Sequence, residues 1–168
     1  MKRLVLVIVC IFPFGLGLAG EANKHISMRQ SDAGTFYVPV QLKGGSSTDF
    51  LIDTGSSYTV INENTLAILK ENGAAKYAYD IKGVMADGSI KTVPVYMIQS
   101  IDIGHHCILN NVEAAVFPGE SRQILGLSTL SKASSFMFTM SPPSLQLSNC
   151  HGDNNSADNA PTKVSALQ

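Results

Sequence analysis

Phe50-Leu51-Ile52-Asp53-Thr54-Gly55-Ser56-Ser57 is the stretch on which the fold turns. Three apolar residues run straight into a carboxylate, a hydroxyl and a glycine follow, and a β-branched run resumes over residues 58–61. A strand therefore ends at Asp53, the chain turns, and another strand begins. Alone, Asp-Thr-Gly fits any Asp turn in which glycine supplies an unusual backbone angle. Its surroundings make it more specific.

Upstream, residues 35–42 alternate, with Phe36, Val38, Val40 and Leu42 on one face and Tyr37, Pro39 and Gln41 on the other. This is a half-buried strand, and Pro39 places it near an edge. The turn cluster at residues 43–47 joins it to the strand entering Asp53 as a hairpin. Downstream, Asn62 or Asn64 caps a short helix over residues 63–71, packed through Leu66, Ile68 and Leu69 and stopped by Asn72-Gly73. Residues 81–86 and 89–93 flank Asp87-Gly88, a hairpin signal requiring positive φ at both central positions. Strands follow over residues 95–103 and 108–117 around a Gly104-His105-His106-Cys107 turn. A loop at residues 118–122 leads to the short apolar strand Gln123-Ile124-Leu125-Gly126-Leu127. Residues 128–134 make one or two helical turns, and residues 135–140 and 145–147 pair about Pro142-Pro143. Short strands at this spacing imply a closed or sandwiched all-β domain.

Composition agrees. The chain has 168 residues, 45% hydrophobic and 15% charged, which suits one domain with two ends. Fourteen Gly, seven Pro and no Trp suit turn-rich β structure. Twelve Lys+Arg against thirteen Asp+Glu provide no basic surface, so nucleic acid is not an expected partner.

At the N-terminus Lys2 and Arg3 precede an apolar run, and Gly17 and Ala19, or Gly20 and Ala22, stand at the two positions a signal cleavage site needs. Residues 1–19 are expected to be a signal peptide, cut after Ala19 or after Ala22. Membrane association follows only if residues 4–18 are retained as an anchor, and Pro13 and the glycines interrupt them. The protein is thus expected to be exported, periplasmic or secreted. Losing Lys2 and Arg3 leaves ten basic against thirteen acidic residues, a net charge of −3. Cys10 leaves with the signal. Cys107 and Cys150 then fit one bridge, two free thiols or an intermolecular link. Residues 20–30 read as a linker and residues 149–168 as a disordered tail poor in large apolar side chains, with an Asn154-Asn155-Ser156 glycosylation pattern. The domain spans residues 31–148.

The order of strand, Asp53-Thr54-Gly55, glycine-tipped hairpin and second apolar strand Ile124-Leu125-Gly126 resembles the retropepsin-like (retroviral-type) aspartic proteases, in particular small exported bacterial members with one signature per chain. The resemblance covers residues 34–147. It implies an all-β, closed retropepsin-like barrel or sandwich with a flap hairpin and one or two short helices. It also implies an aspartic endopeptidase in which Asp53 is the catalytic carboxylate, Thr54 and Gly55 complete its loop, and Ile124, Leu125 and Gly126 pack beneath. Met85, Ala86, Asp87, Gly88 and Ser89 are the implied flap. Ser56 stands where retroviral enzymes usually carry alanine, and the tip here is less glycine-rich than theirs.

This chemistry uses two carboxylates sharing one proton across a water, because like charges so close cannot both ionise. The chain has one Asp-Thr-Gly; Asp32, Asp49, Asp80, Asp87 and Asp102 lack the hydroxyl and glycine that follow. The second carboxylate must come from a second copy, so the resemblance implies a homodimer with its site on the two-fold axis. Thr54 then braces the loop across the dimer. Gly55 lets backbone N–H groups approach the carboxylate. Ser56 is expected to donate to the outer carboxylate oxygen, favouring its ionised form, with activity peaking below neutral pH. An extended polypeptide is the expected substrate, with Ile61, Met85 and Ile90 lining apolar pockets by analogy.

Other chemistries fit less well. Gly126-Leu127-Ser128-Thr129-Leu130 lacks the closing glycine of a serine nucleophile elbow. His105-His106-Cys107, with His151, suggests a soft-metal set, yet adjacent histidines in a strand point to opposite faces. No metal or cofactor is expected. The alternative of a different class is a non-catalytic dimeric peptide-binding or assembly module on a protease-like fold.

Overall fold

The computed structural model describes residues 24–85 and 87–150. The expected signal at residues 1–19 with Cys10, the hairpin residue Ala86, and the tail from His151 with its glycosylation pattern lie outside the described residues.

Eleven strands and two α-helices follow one another: β1 (Lys24–Ser27), β2 (Arg29–Gln30), β3 (Phe36–Leu42), β4 (Ser47–Ile52), β5 (Thr59–Asn62), α1 (Glu63–Glu71), β6 (Ala75–Val84), β7 (Ile90–Ile103), β8 (Cys107–Phe117), β9 (Ile124–Leu125), α2 (Leu127–Leu130), β10 (Phe136–Met140) and β11 (Pro143–Leu147). A 3₁₀ turn, Ser131–Ala133, extends α2. The larger sheet runs β2-β3-β4-β9-β5-β8-β7-β6, and β3 also pairs with β7. That extra pairing closes β3, β4, β9, β5, β8 and β7 into a barrel, leaving β6 outside as the free arm of a long hairpin. Closure removes most of the open edges an all-β chain must otherwise protect.

The alternation in β3 is what fills this barrel. Val38 and Val40 are fully buried, Leu42 nearly so, and Phe50 of β4 meets them from the facing strand. Leu125, Ile61, Ile101 and Ile103 complete the interior. Full burial of each such side chain stabilises by about 1.5–3 kcal/mol. Helix α1 covers one side with Leu66 and Leu69 while Ile68 stays exposed. Asn62 caps it, its side chain accepting from Thr65 N–H at 2.9 Å. At the other end the N–H groups of Gly73 and Ala74 return to the carbonyls of Lys70 and Leu69, closing the helix as the Asn72-Gly73 signal requires.

Several expectations are corrected. Residues 24–30 are not linker: β1 pairs with β11 and β2 with β3, because Ile26 and Met28 are buried between the small sheet β1-β11-β10 and the barrel. Two apolar residues spaced by two are too short a pattern to announce a strand. Pro39 lies in an interior strand, not near an edge. Its carbonyl accepts from Gly104 N–H at 2.8 Å, just past the last paired residues of the β3–β7 ladder, Val40 and Ile103, so its missing N–H falls at the ladder's end. The runs on either side of Pro94 are one strand, with Pro94 just outside the β7–β8 ladder that begins at Val95. The β6–β7 tip has three residues, not two, since Met85 N–H donates to the Ser89 carbonyl. Of Asp87 and Gly88 only Gly88 takes positive φ, at 80°.

Cys107 and Cys150 form a disulfide. Cys150, placed by the sequence in a tail, is 5% exposed, and Cys107 is fully buried. The link ties the end of the small sheet to the start of β8. Ser148 adds to this closure, donating from its hydroxyl to the Ala133 carbonyl at 2.7 Å and joining β11 to the 3₁₀ turn.

Candidate active site

β4 ends at Ile52 and β5 begins at Thr59, yet the two are not neighbours: β9 lies between them, parallel to β4 and antiparallel to β5. The chain from residue 53 to residue 58 must therefore arch across the end of β9. Leu51 and Ile52 stand beside Ile124 and Leu125, and Asp53 N–H donates to the Leu125 carbonyl at 3.2 Å, which extends the ladder by one bond and fixes where the carboxylate emerges. Asp53 is half-buried, while Thr54 and Gly55 at the crest of the arch are exposed. Gly55 N–H donates to Asp53 Oδ1 at 2.9 Å, and Ser56 N–H to the Asp53 carbonyl at 3.2 Å. The carboxylate is held by backbone and left open to one side.

Beneath the arch lies Gly126. A side chain there would run into the Tyr58 carbonyl and come within 2.8 Å of the Ser56 carbonyl oxygen, so only glycine lets the two segments pass this closely. The segment after it grips the arch. Leu127 N–H donates to the Ser56 carbonyl and Ser128 N–H to the Ser57 carbonyl, both at 2.9 Å. The Ser128 hydroxyl accepts from Thr59 N–H at 2.8 Å and donates to the Glu113 carbonyl at 2.7 Å. The buried hydroxyls of Thr59 and Thr129 bond to each other, and Gly126 N–H reaches Thr59 Oγ1 at 3.3 Å. Thr59, Ser128 and Thr129 are thus a clamp the sequence reading did not pick out. The Ser128 hydroxyl is not free to act as a nucleophile, being committed to two backbone groups. The pair Ser128-Thr129, one residue beyond Gly126, was the available signal.

The structure brings together Asp53, Thr54, Gly55, Ser56, Ile124, Leu125 and Gly126. Ser56 does not behave as expected: its hydroxyl donates to the Tyr58 carbonyl at 2.7 Å and not to the Asp53 carboxylate, because the tight turn after Gly55 carries the side chain back over the arch. Met85, Asp87, Gly88 and Ser89 lie together at the hairpin tip. There the Asp87 carboxylate accepts from Ser89 N–H at 2.9 Å and from the Ser89 hydroxyl at 2.7 Å, bonds that lower its pKa below the usual carboxylate value. No hydrogen bond among the described residues joins this tip to Asp53. Ile61 is fully buried in the barrel and lines no pocket, whereas Ile90 is 68% exposed beside the tip.

The hairpin meets the arch lower down. Val93, Val95 and Ala115 form a second small apolar cluster, with Tyr58, Ile81 and Phe117 packed on it. The Tyr58 hydroxyl lies 3.3 Å from that of Tyr79 on β6. Burial foremost, then the contact with the Tyr58 hydroxyl and the neighbouring Glu113 carboxylate, pushes the Tyr79 pKa well above the ordinary phenol value. Tyr77 is shifted in the same direction by desolvation and by Asp80.

The other candidate groups resolve differently. His105 sits in the Gly104–Cys107 turn with Nδ1 3.8 Å from Asp102, Cys107 is in the disulfide, and no cluster of three metal-ligating side chains forms among the described residues. Asp49 pairs with Arg29 at 2.7 Å on the surface. A small cavity lined by Leu42, Thr48, Thr65, Ile68 and Leu69 lies between α1 and the β3–β4 turn and does not include Asp53. No helix among the described residues is long and apolar enough to cross a membrane.

One half-exposed carboxylate on an arch crossing a parallel strand is the arrangement to compare with known proteins. No curated protein matches the chain. Among solved structures it is similar to a retropepsin-like aspartic protease from Rickettsia conorii, with 21% identity and a TM-score of 0.54 over 75% of this chain and 91% of that one. The likeness shows a retropepsin-like fold. A family model described as aspartyl protease matches residues 38–129, a span that holds the arch, the hairpin, β9 and the clamp. The chain belongs to the aspartyl protease family.

Proposed function

We propose that the chain is an aspartic endopeptidase that works as a homodimer, each subunit contributing one Asp53. The observation that carries this reading is the arch itself. It holds a single carboxylate, half-buried and bonded by Gly55 N–H, at an exposed crest where a second copy can face it. Leu127, 39% exposed although it follows directly on Gly126, offers apolar surface beside that crest for the same contact. In the dimer the two carboxylates share one proton. One takes a proton from the water between them as it attacks the scissile carbonyl, and the other protonates the carbonyl oxygen; the two act as one titrating unit. Collapse of the tetrahedral intermediate then expels the amine, which takes the proton the first carboxylate had received from water, while the second carboxylate recovers a proton from a hydroxyl of the intermediate as the carbonyl re-forms. The substrate is a polypeptide bound extended, through strand-like hydrogen bonds. Export is part of the proposal, supported by the charged and then apolar N-terminus and by a disulfide of the kind oxidising compartments retain.

The test is cleavage of a peptide library at pH 4 to 7 by the mature protein and by Asp53→Asn, with sedimentation at the assay concentration. Cleavage lost in Asp53→Asn, with activity tracking the dimer, is the expected result. Cleavage by a strict monomer refutes the shared site, and dimers that bind peptides without cleaving them would establish the binding module instead.

A further inference from the structure

The outer part of the hairpin β6–β7, beyond Tyr79 and Val95, rests on the rest of the molecule through little apolar surface, whereas the inner half of β7 is barrel strand. The outer strand β6 is exposed or half-buried along its whole length, and the Val93-Val95-Ala115 cluster is separate from the barrel core. One polar contact joins it to the arch, the pairing of the Tyr79 and Tyr58 hydroxyls. Both ends of that contact are built. Between Tyr77 and Tyr79 the β6–β7 register slips, a bulge of the kind that re-aims a side chain. The Tyr58 carbonyl receives the Ser56 hydroxyl, and the Tyr58 backbone is the group that Gly126 makes room for. Tyr58 is therefore fixed to the same clamp that holds Asp53, while Tyr79 belongs to the hairpin.

We infer that Tyr58 and Tyr79 are positioning residues: their hydroxyl contact sets where the hairpin stands relative to the Asp53 arch before a peptide arrives. This rests on the peptidase reading, and it names a device within that site. Without the contact the hairpin samples more positions, and a peptide must select or order the productive one, so apparent affinity falls by the unpopulated fraction while the chemical step is untouched. A single neutral hydrogen bond sets the scale at about three- to tenfold.

The experiment uses the mature dimeric protein, Tyr79→Phe, Tyr58→Phe and the double variant, with two readouts. In steady-state cleavage each single variant is expected to raise KM about three- to tenfold with kcat within about twofold, and the double variant to be no worse than the poorer single one, since one contact is removed once. In amide exchange without substrate, residues 80–93 are expected to exchange faster in each variant while β8 is unchanged. Lower thermal stability with unchanged KM and unchanged hairpin exchange would make the pair scaffolding and overturn the inference. Additive KM effects in the double variant would do so too. Should the wild-type protein cleave no peptide, the peptidase reading fails by itself and the exchange measurement alone decides whether the contact holds the hairpin.

Discussion

Replacing Gly126 by alanine asks whether the arch over β9 depends on the absence of one side chain. The φ of Gly126 is −98°, which any residue adopts, so the substitution adds no dihedral strain. It adds a methyl group that meets the Tyr58 carbonyl and lies 2.8 Å from the Ser56 carbonyl oxygen, and both obstacles are backbone. The arch must lift. Overpacking of this kind costs about 1–3 kcal/mol. Lifting also stretches the Leu127-to-Ser56 and Ser128-to-Ser57 hydrogen bonds, worth about 1 kcal/mol each. A total of about 3–5 kcal/mol lowers Tm by about 10–20 °C in a domain of this size. The same displacement moves Asp53, and in the proposed peptidase a shift of about 1 Å at that carboxylate costs about a hundredfold in rate. The assay is thermal unfolding of Gly126→Ala beside Gly45→Ala, whose new methyl would meet only the Leu42 carbonyl at an ordinary 3.5 Å, followed by peptide cleavage. Gly45→Ala is expected to match wild type. A Gly126→Ala protein within about 1 °C of wild type and equally active would refute the account of how the arch is held.

Because the Ser56 hydroxyl bonds the Tyr58 carbonyl and not Asp53, Ser56→Ala should leave the pH–rate profile in place while lowering stability by about 1 kcal/mol, read from profiles and denaturant melts of both proteins. The disulfide closes a span of 43 residues, so replacing both Cys107 and Cys150 by serine should cost about 4 kcal/mol, and mild reductant should spare the buried bond until denaturant opens the fold. The raised Tyr79 pKa has a definite sign. Above about pH 10 the unfolded phenol ionises while the folded one does not. Its contribution to stability is therefore complete below that pH and lost above it; Tyr79→Phe should flatten the alkaline decline and remove the latest of the phenolate steps seen by ultraviolet absorbance.

The parts of the fold carried by periodicity or by a strong local signal were legible. The alternation of β3, the cap and stop of α1, and the β10–β11 pairing about Pro142-Pro143 all follow from spacing and turn chemistry. The meeting of Ile124-Leu125-Gly126 with the Asp53 arch was legible only through the resemblance to retropepsin-like proteases. What escaped depended on partners distant in the chain. β1 is a strand only because β11 lies alongside it, and Cys150 is buried only because Cys107 waits for it. Pro39 is tolerated inside the barrel because β7 stops at its carbonyl. The clamp was hidden for a similar reason: serine and threonine look alike on a surface and beneath a loop, and Thr59, Ser128 and Thr129 acquire meaning only when β9 brings them together. The direction of the Ser56 hydroxyl is a matter of loop geometry that residue type does not encode.

The insertion of β9 between β4 and β5 also sets an order of events in time. The arch at residues 53–58 is among the early parts of the domain to leave the ribosome, yet the strand it must cross and the clamp that holds it arrive only with residues 124–129. Contacts between segments so far apart in the chain form late, after the intervening loop entropy has been overcome. Until then β4 and β5 present bare edges, and the carboxylate has no fixed direction. A chain interrupted anywhere before β9 therefore carries the entire Asp-Thr-Gly signature without a formed site. Completion of the barrel acts as a checkpoint: the Asp53 carboxylate takes its place only once the polypeptide around it has been made whole.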